Sequence, residues 1–368
     1  MRPLLVEDFG NPASRTHAYG WRAEEALEQA RRSVATRIGA DPREIVFTSG
    51  ATESNNLALL GAVRAAGVQG AHVVTCRTEH NAVLDPCRAL EKAGARVTVV
   101  GVDAGGLVDP ERVAAAIEPA TVLVSVMHAN NEIGVIQDLA ALGRVAHDAG
   151  VLLHTDAAQS VGKLPVDVGQ LGVDLLSLTA HKFYGPKGIG VLFVRRGQPQ
   201  VRLEPLVYGG GHERGLRSGS VPVPLAVGLA RALELAEAER ADEAERLGGL
   251  RDRLWQRISS ELDGVVRNGA AEPRLAGNLN VSFHGVEGDA LTLALENVAV
   301  STGSACTSAR PEASHVLLAL GLPRALALGS LRFGLGRSNT PADVEAAADA
   351  VVEQVRRLRV LQARERPG

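Results

Sequence analysis

A single lysine at the end of an apolar run is the residue best placed for covalent chemistry. Lys182 follows the apolar run 173–179 and precedes the glycine- and proline-rich stretch 183–190. The run predicts a buried strand, so Lys182 would lie where that strand ends in a turn. Desolvation there would lower the pKa of the amine, and a neutral amine can form a Schiff base with a carbonyl compound. The alternative is a surface lysine beside a turn, since most lysines lie at the surface.

An anion-binding turn is predicted upstream of this lysine. The β-rich run 44–48 breaks at the stretch 49–54 and continues as a helical pattern. A strand, a tight turn and a helix N-terminus together offer free backbone N–H groups to an anion. We therefore expect this turn, with Ala51 and Thr52, to hold a phosphate. The alternative is an ordinary helix start that is capped by Thr52 or Ser54.

Three further polar residues are predicted at strand ends. His80 and Asn131 each follow an apolar run, and Asp156 ends another. The imidazole of His80 could stack on an aromatic ring or transfer protons near neutral pH, or it could cap the next helix. The amide of Asn131 is costly to bury unless it is bonded. An isolated carboxylate at Asp156 would also be costly, and a protonated ring nitrogen would compensate it.

These groups are complementary to one cofactor. A phosphate-binding turn, a stacking imidazole, a carboxylate for a pyridinium nitrogen and an amine for a Schiff base are what a pyridoxal phosphate enzyme needs. All of them follow strands of a predicted βαβ series, and ligands of open α/β sheets bind at the carboxyl ends of the strands. The combination is far more specific than any one of its members.

Recognisable motifs run along most of the chain. They are 9–14 (FGNPAS), 47–56 (FTSGATESNN), 78–80 (TEH), 130–134 (NNEIG), 156–160 (DAAQS), 181–182 (HK), 209–215 (GGGHERG), 217–219 (RSG), 303–308 (GSACTS) and 332–333 (RF). With these motifs the sequence resembles the NifS/IscS-like branch of the cysteine desulfurases, within the class V aminotransferase fold. The resemblance runs from the first residues to about Arg337.

The resemblance implies a fold and an activity. The fold is the α/β fold type I of pyridoxal phosphate-dependent transferases, with a mainly parallel seven-stranded sheet in a large domain, 1–225, and a smaller α+β C-terminal domain, 226–368. The activity is conversion of L-cysteine to L-alanine, with sulfur left as a persulfide on Cys306 for iron–sulfur cluster assembly or for thiolation of cofactors or tRNA. A homodimer and a sulfur-acceptor protein, either an iron–sulfur scaffold or a sulfur carrier, are implied as partners.

The resemblance also implies roles for individual residues. Lys182, Cys306 and His80 would be catalytic. The cofactor would be held by Ala51, Thr52, His80, Asn131, Asp156, Gln159, Thr179, His181, Lys182 and, from the neighbouring subunit, Ser220. L-cysteine would be held by Asn11, Asn131 and Arg332. The guanidinium fork of Arg332 suits an α-carboxylate, whereas an ordinary surface arginine is the alternative.

Cys306 narrows the choice of reaction. It lies in the stretch 301–310, whose small residues cannot anchor a core, so we expect an accessible thiol that can take up sulfur. The alternative is a small buried cysteine. Cys76 and Cys87 lie in a predicted strand and a predicted helix, and we assign both to packing.

Composition excludes several classes of protein. The 368 residues are 45% hydrophobic and carry 39 basic and 42 acidic side chains, a formal charge of −3 that argues against nucleic acid as the main partner. No apolar stretch has transmembrane length and no signal peptide is evident, so we expect no membrane association. Three cysteines do not suggest a disulfide framework, which fits a reducing cytoplasm. No four-ligand spacing predicts a structural metal, and Cys306 would make at most a transient iron–sulfur contact.

Periodicity divides the chain into alternating and mixed regions. An amphipathic helix is predicted at 21–38, and apolar β-rich runs alternate with helical patterns from 44 to about 194. A long helical pattern spans 222–262. The strands predicted after it are 264–267, 279–283, 298–301 and 330–333, with helices at 289–295 and 341–361.

Two departures from the family leave other functions open. The chain opens at Met1 in what resembles the middle of the family's first helix, so we expect the N-terminal strand and turn of the family to be missing. We also expect the long C-terminal extension of some scaffold-binding relatives to be missing. Another class V reaction, by an aminotransferase or a selenocysteine lyase, is one alternative, and a degenerate non-catalytic paralogue is another. A mobile thiol at Cys306 argues against transamination, which needs none.

Overall fold

The computed structural model describes residues 1–198, 200–302 and 312–365, which form two compact units. The first unit consists of residues 1–100, 108–129 and 137–240. The second unit begins at Ala241 and also takes residues 101–107 and 130–136 from the N-terminal half. The division lies inside a helix, after Arg240, rather than at the boundary between 225 and 226 that the resemblance implied.

The first unit is built on a seven-stranded sheet. The strands are β1 (Ile45–Thr48), β2 (His72–Cys76), β3 (Arg96–Val100), β4 (Thr121–Ser125), β5 (Leu152–Asp156), β6 (Leu175–Thr179) and β7 (Gly190–Val194). They lie in the order β1-β7-β6-β5-β4-β2-β3. Neighbours from β6 to β3 are parallel, whereas β7 is antiparallel to both β6 and β1. The predicted mainly parallel sheet of seven strands is confirmed.

Helices cover the apolar strands of this sheet. Every residue of β1, β2, β6 and β7 is buried, as expected for strands that are packed on both faces. The helices of this unit are α1 (Arg2–Val6), α2 (Ala18–Arg37), α3 (Ala51–Ala66), α4 (Asn81–Lys92), α5 (Pro110–Ala116), α6 (Leu139–Asp148) and the first part of α7 (Val223–Glu261).

The start of β7 lies between the ends of β1 and β6. Gly190 pairs with Thr48 on one side and with Thr179 on the other. A Cβ atom on Gly190 would lie 2.6 Å from the Cα atom of Gly50, so only glycine permits this approach to the turn after β1. Neighbouring strands lie about 4.8 Å apart, so the chain leaves β1 and β6 at the same sheet edge, roughly 10 Å apart.

Side chains occupy the free backbone groups of the edge strand β1. Arg31 donates through Nη1 to the carbonyl of Ile45, at 2.7 Å, and through Nη1 and Nη2 to both carboxylate oxygens of Glu213. The amide of Phe47 donates to Glu213 Oε2 at 2.8 Å. Arg31 and Glu213 are both buried. Their contacts fix the glycine-rich loop 209–220 against this strand and block the strand pairing that an open edge would invite.

The second unit combines helices with a small antiparallel sheet, so the predicted α+β architecture is confirmed. The strands are β8 (Val265–Arg267), β9 (Asn278–Phe283) and β10 (Ser330–Gly334). Their order in the sheet is β10-β9-β8, and neighbouring strands are antiparallel. The helices are the last part of α7, then α8 (Gly288–Ala294), α9 (His315–Ala319), α10 (Arg324–Leu328) and α11 (Pro341–Glu365).

One strand predicted for this unit is wrong. Residues 298–301 form no strand, and only Ser301 pairs, in an isolated bridge with Arg332 of β10. The reason is local, because the amide of Val298 donates to the carbonyl of Leu295 at 3.2 Å in the turn that leaves α8. That turn takes Val298, the first residue of the predicted strand, and of the four residues only Ser301 pairs with β10.

Two kinds of feature are absent from the described ranges. Within them, no helix combines the length and the apolar character needed to cross a membrane. The same residues contain no group of three or more His, Cys, Asp or Glu side chains arranged to hold a metal ion.

Candidate active site

Lys182 lies where the sequence predicted it, at the end of β6. Residues 180–183 form a single 3-10 turn, and Tyr184 ends it in the left-handed region at φ 65°. Thr179 Oγ1 lies 3.0 Å from His181 Nδ1, which orients that ring beside the lysine. The expected desolvation of Lys182 is not observed, because the short turn leaves both His181 and Lys182 exposed at the rim of the sheet.

The turn after β1 has the properties of an anion site. Gly50 is the N-cap residue of α3, with φ 151°, and no side chain caps the helix. Thr52 is exposed, and the hydroxyl of Ser54 bonds that of Thr48 at 2.7 Å. The alternative interpretation, a helix capped by Thr52 or Ser54, is therefore wrong. Because no side chain caps this 16-residue helix, its first N–H groups can serve an anion such as a phosphate, with the exposed Thr52 beside them.

An ion pair holds this turn to the glycine-rich loop. The amide of Ser49 donates to Glu53 Oε2 at 2.8 Å, and Arg217 Nε donates to Glu53 Oε1 at 2.9 Å. Both side chains of the pair are about four-fifths buried, with 18% of Glu53 and 20% of Arg217 exposed. Glu53 thus fixes the backbone beside Thr52, which is a role that sequence reasoning did not assign.

Asp156 is a buried carboxylate whose hydrogen bonds come from neutral donors. Its side chain ends β5 and is 5% exposed. Oδ1 accepts from the amide of Ala158 at 2.9 Å, and Oδ2 accepts from Asn55 Nδ2 at 2.7 Å. Burial raises the pKa of Asp156, while those two bonds and the charges of His80 and Lys182 act in the opposite direction. His80 and Lys182 therefore lie within electrostatic range of Asp156, and the site suits a cation such as a protonated ring nitrogen.

His80 caps a helix and also borders a pocket. Its Nδ1 accepts from the amide of Ala82 at 3.0 Å, at the N-terminus of α4. The capping interpretation is confirmed, and it assigns the proton of the neutral ring to Nε2. His80 is exposed and, with Thr52, Asn56 and part of α4, it lines a pocket of about 330 Å³. The structure thus brings the predicted stacking ring and the predicted phosphate turn to one cavity.

Two predicted residues make only local contacts among the described residues, and a third is exposed. Asn11 Oδ1 accepts from the amide of Ala13, and Gln159 Oε1 accepts from Lys163 Nζ. Ser220 is exposed on the loop held by Glu213 and Arg217. The contacts of Asn11 and Gln159 do not join them to Asp156, and their predicted roles stay predictions.

Asn131 and Arg332 meet in the second unit. Arg332 Nη1 donates to the carbonyl of Asn131 at 3.1 Å. Asn278 Nδ2 donates to the carbonyl of Asn131, at 3.4 Å, and to that of Glu132, which also accepts from Asn280 Nδ2 at 3.2 Å. Sequence reasoning assigned no role to these two β9 asparagines. The sequence contained a signal for them, because polar and apolar side chains alternate along β9, whose residues are all buried.

The cysteines lie in different settings. Cys76 in β2 and Cys87 in α4 are buried, as predicted for packing residues, and burial raises the pKa of each thiol to about 12. Cys306 lies outside the described residues.

Comparison with known proteins identifies the chain. Residues 1–347 match the pattern of the class-V aminotransferases. The chain belongs to the class-V aminotransferase family. Among its relatives, cysteine desulfurase IscS of Tolumonas auensis is 54% identical over 357 residues, which cover 97% of this chain and 88% of that protein.

Solved structures agree with this membership. A structure described as a NifS-like protein has a TM-score of 0.89 and 37% identity, and the match covers 96% of this chain and 93% of the other. The structure of SspA in complex with cysteine has a TM-score of 0.79 and 39% identity, with 91% and 93% covered. The resemblance and the fold class predicted from the motifs are confirmed.

Proposed function

We propose that this class-V aminotransferase family member is a cysteine desulfurase that converts L-cysteine to L-alanine. The observation that carries the proposal is 54% identity, over nearly the whole chain, to a relative named for that activity. The atoms balance without an oxidant: L-cysteine and the Cys306 thiol give L-alanine and a Cys306 persulfide. The substrate C–S bond breaks, an S–S bond forms, and a proton completes the methyl group of alanine.

Pyridoxal phosphate is the cofactor that these residues fit. The buried carboxylate of Asp156 receives hydrogen bonds only from neutral donors in the described structure, and the start of α3 has no side-chain cap. Asp156 would hold the ring nitrogen, and His80 would lie against the ring. When bound, the cofactor supplies an electron sink for the charge that develops on the substrate Cα.

The remaining contacts of the cofactor are assigned by the family motifs. Lys182 would bind its carbonyl carbon, and Asn131 and Gln159 would bond the ring hydroxyl. The residues proposed at the phosphate are Ala51, Thr52, Thr179, His181 and Ser220 of the neighbouring subunit. The pKa of His181 is lowered, first by desolvation and then by the charges of Lys182 and Lys187, so a neutral ring donor at neutral pH is consistent with this role.

The chain's own residues divide the chemical work. Lys182 would remove the Cα proton, as its position at the rim of the sheet allows. His80 carries its proton on Nε2 and would exchange it with the substrate. Arg332 and Asn11 would hold the α-carboxylate. The thiolate of Cys306 would attack the substrate sulfur, since the thiolate is the nucleophilic form of cysteine.

The partners and the compartment follow from this chemistry. A persulfide is useful only if a second protein accepts its sulfur, so we propose a scaffold or sulfur-carrier acceptor. The exposed Ser220 on an anchored loop supports a homodimer in which that loop serves the neighbouring subunit. Free thiols such as Cys306 persist in a reducing compartment, which favours the cytoplasm.

The test is a direct assay of both products. Purified protein loaded with pyridoxal phosphate is incubated with L-cysteine and a reducing thiol, and alanine and sulfide are measured. We expect equal amounts of the two, and we expect Cys306→Ala to form neither above background. Transfer of the amino group to a keto acid without sulfide would identify an aminotransferase, and absence of any turnover in cofactor-loaded protein would identify a non-catalytic paralogue.

A further inference from the structure

A buried hydrogen bond in the second unit joins the motif at 130–134 to the chain just after residues 303–311, here called the Cys306 segment. Ser314 Oγ donates to Glu132 Oε2 at 2.5 Å. Glu132 is 6% exposed and Ser314 is 5% exposed. A hydrogen bond to a buried carboxylate is strong, and leaving either partner unsatisfied is costly. The chain that follows the Cys306 segment is therefore firmly held at Ser314.

The chain just before the Cys306 segment is held by a neighbouring strand. Arg332 N donates to Ser301 O at 2.7 Å, and Ser301 N donates to Arg332 O at 3.3 Å. The guanidinium of the same Arg332 donates to the carbonyl of Asn131, the residue before Glu132. Both flanks of the segment thus end at one small group of residues, which includes Asn131 and Arg332, two of the three residues proposed to hold L-cysteine.

The turn that carries Glu132 has little freedom of its own. The amides of Glu132 and Ile133 donate to Asn130 Oδ1 at 2.8 and 2.9 Å. The carbonyl of Glu132 accepts from the side chains of Asn278 and Asn280. Because its backbone is fixed on both sides, the Glu132 carboxylate determines where Ser314 lies rather than following it.

We propose that Glu132 is a positioning residue for sulfur transfer, which through Ser314 fixes the chain after Cys306 relative to Asn131 and Arg332. The inference rests on the proposed function, because it matters only if Cys306 accepts sulfur. The S–S bond forms only when the thiolate reaches the substrate sulfur in a suitable orientation. Releasing Ser314 adds conformations of the chain after the segment that must be searched, which slows that encounter without removing a group proposed to bind the substrate.

The experiment compares variants that remove the bond with variants that keep it. Glu132→Ala and Ser314→Ala remove it, whereas Glu132→Gln keeps an acceptor oxygen and Ser314→Thr keeps the hydroxyl. Ser282→Ala is the matched control, since Ser282 is also a buried serine of this unit, and its hydroxyl accepts from Asn268 Nδ2 at 2.8 Å. Two quantities are measured: the single-turnover rate of persulfide formation on Cys306, by mass spectrometry, and hydrogen exchange of the amides at 314–318 in cofactor-free protein.

We expect the two removing variants to form the persulfide about tenfold more slowly, the factor that corresponds to roughly 1.4 kcal/mol for one lost hydrogen bond. Their apparent affinity for L-cysteine should stay within about twofold of wild type, since no substrate contact is lost. Exchange at 314–318 should be faster in both, while the retaining variants and Ser282→Ala should resemble wild type.

Two results would overturn the role of Glu132. One is wild-type persulfide formation and exchange in both removing variants, and the other is an equal slowing in Ser282→Ala, which would indicate general destabilisation. Wild-type protein that makes no alanine from L-cysteine would instead refute the proposed function, so the two failures are distinguishable.

Discussion

Replacing Asp156 by asparagine should separate the chemistry of the site from the stability of the fold. Asp156 Oδ1 accepts from Ala158 N, and its Oδ2 accepts from Asn55 Nδ2. An amide keeps the first bond through its oxygen. In place of the second, the NH₂ group of the new side chain would face Asn55 Nδ2, and two donors form no hydrogen bond. However, Asn55 Oδ1 is buried without a hydrogen-bond partner among the described residues. Rotation of the Asn55 amide therefore restores a bond, and we expect the cofactor-free variant to fold normally.

The sign of the stability change follows from the pKa of Asp156. Burial raises this pKa, so the folded protein binds the proton more tightly than the unfolded chain does. The Asp156 carboxyl therefore lowers the stability of the cofactor-free protein as pH rises from the unfolded pKa to the folded pKa, by about 1.4 kcal/mol for each pH unit that separates the two values. Asp156→Asn removes this loss. At neutral pH its cofactor-free form should be at least as stable as wild type.

The effect on the loaded enzyme should have the opposite sign. Without the Asp156 carboxylate, a protonated ring nitrogen of the bound cofactor would lose roughly 3–5 kcal/mol of interaction. If the transition state loses that stabilisation, alanine formation becomes about 10² to 10⁴-fold slower. The assay compares urea unfolding of both cofactor-free proteins from pH 4 to pH 8 with alanine formation by both loaded proteins. A variant that unfolds several kcal/mol more easily yet retains the wild-type rate would refute the reasoning and make Asp156 a structural residue.

Further predictions concern the lysine, the thiols and one glycine. Lys182→Ala should lose the visible absorbance of the bound cofactor and all alanine formation, and full activity in this variant would remove Lys182 from the mechanism. Cys76 and Cys87, with pKa values of about 12, should react with iodoacetamide far more slowly than Cys306 in native protein at pH 8, where roughly one in 10⁴ of such thiols is ionised. Peptide mapping that found either one labelled first would contradict this accessibility. Gly134→Ala should cost about 1–3 kcal/mol in urea unfolding, because Gly134 has φ 75° and its Cβ would lie 2.7 Å from a β9 asparagine oxygen. Unchanged unfolding would show that the 130–136 turn tolerates a side chain.

Local pattern was enough to place the main elements. The alternation of apolar runs and helical patterns predicted the parallel sheet, and the strand before Lys182 ends at Thr179, as its composition indicated. The failure at 298–301 has a local cause as well. A run of four residues predicts a strand weakly, and there the turn after α8 takes the first of them.

The exposure of Lys182 was less accessible to sequence reasoning, which also left the capping role of His80 as one of several alternatives. A strand end predicts the position of a side chain but not the depth of the turn that follows it. The 3-10 turn at 180–183 holds Lys182 at the surface, and the backbone geometry at the start of α4 lets His80 accept a bond while its ring stays exposed.

The sequence by itself determined the order of the strands along the chain, the residue types at their ends and the family to which they belong. These depend on periodicity and on motifs whose residues are close in sequence. Only the tertiary structure decided which distant groups meet. Asn55 and Asp156 are 101 positions apart, and both Arg31 with Glu213 and Glu132 with Ser314 are 182 apart. No local pattern encodes such contacts, because they arise when packed strands and helices bring side chains together and burial makes each unmet polar group costly.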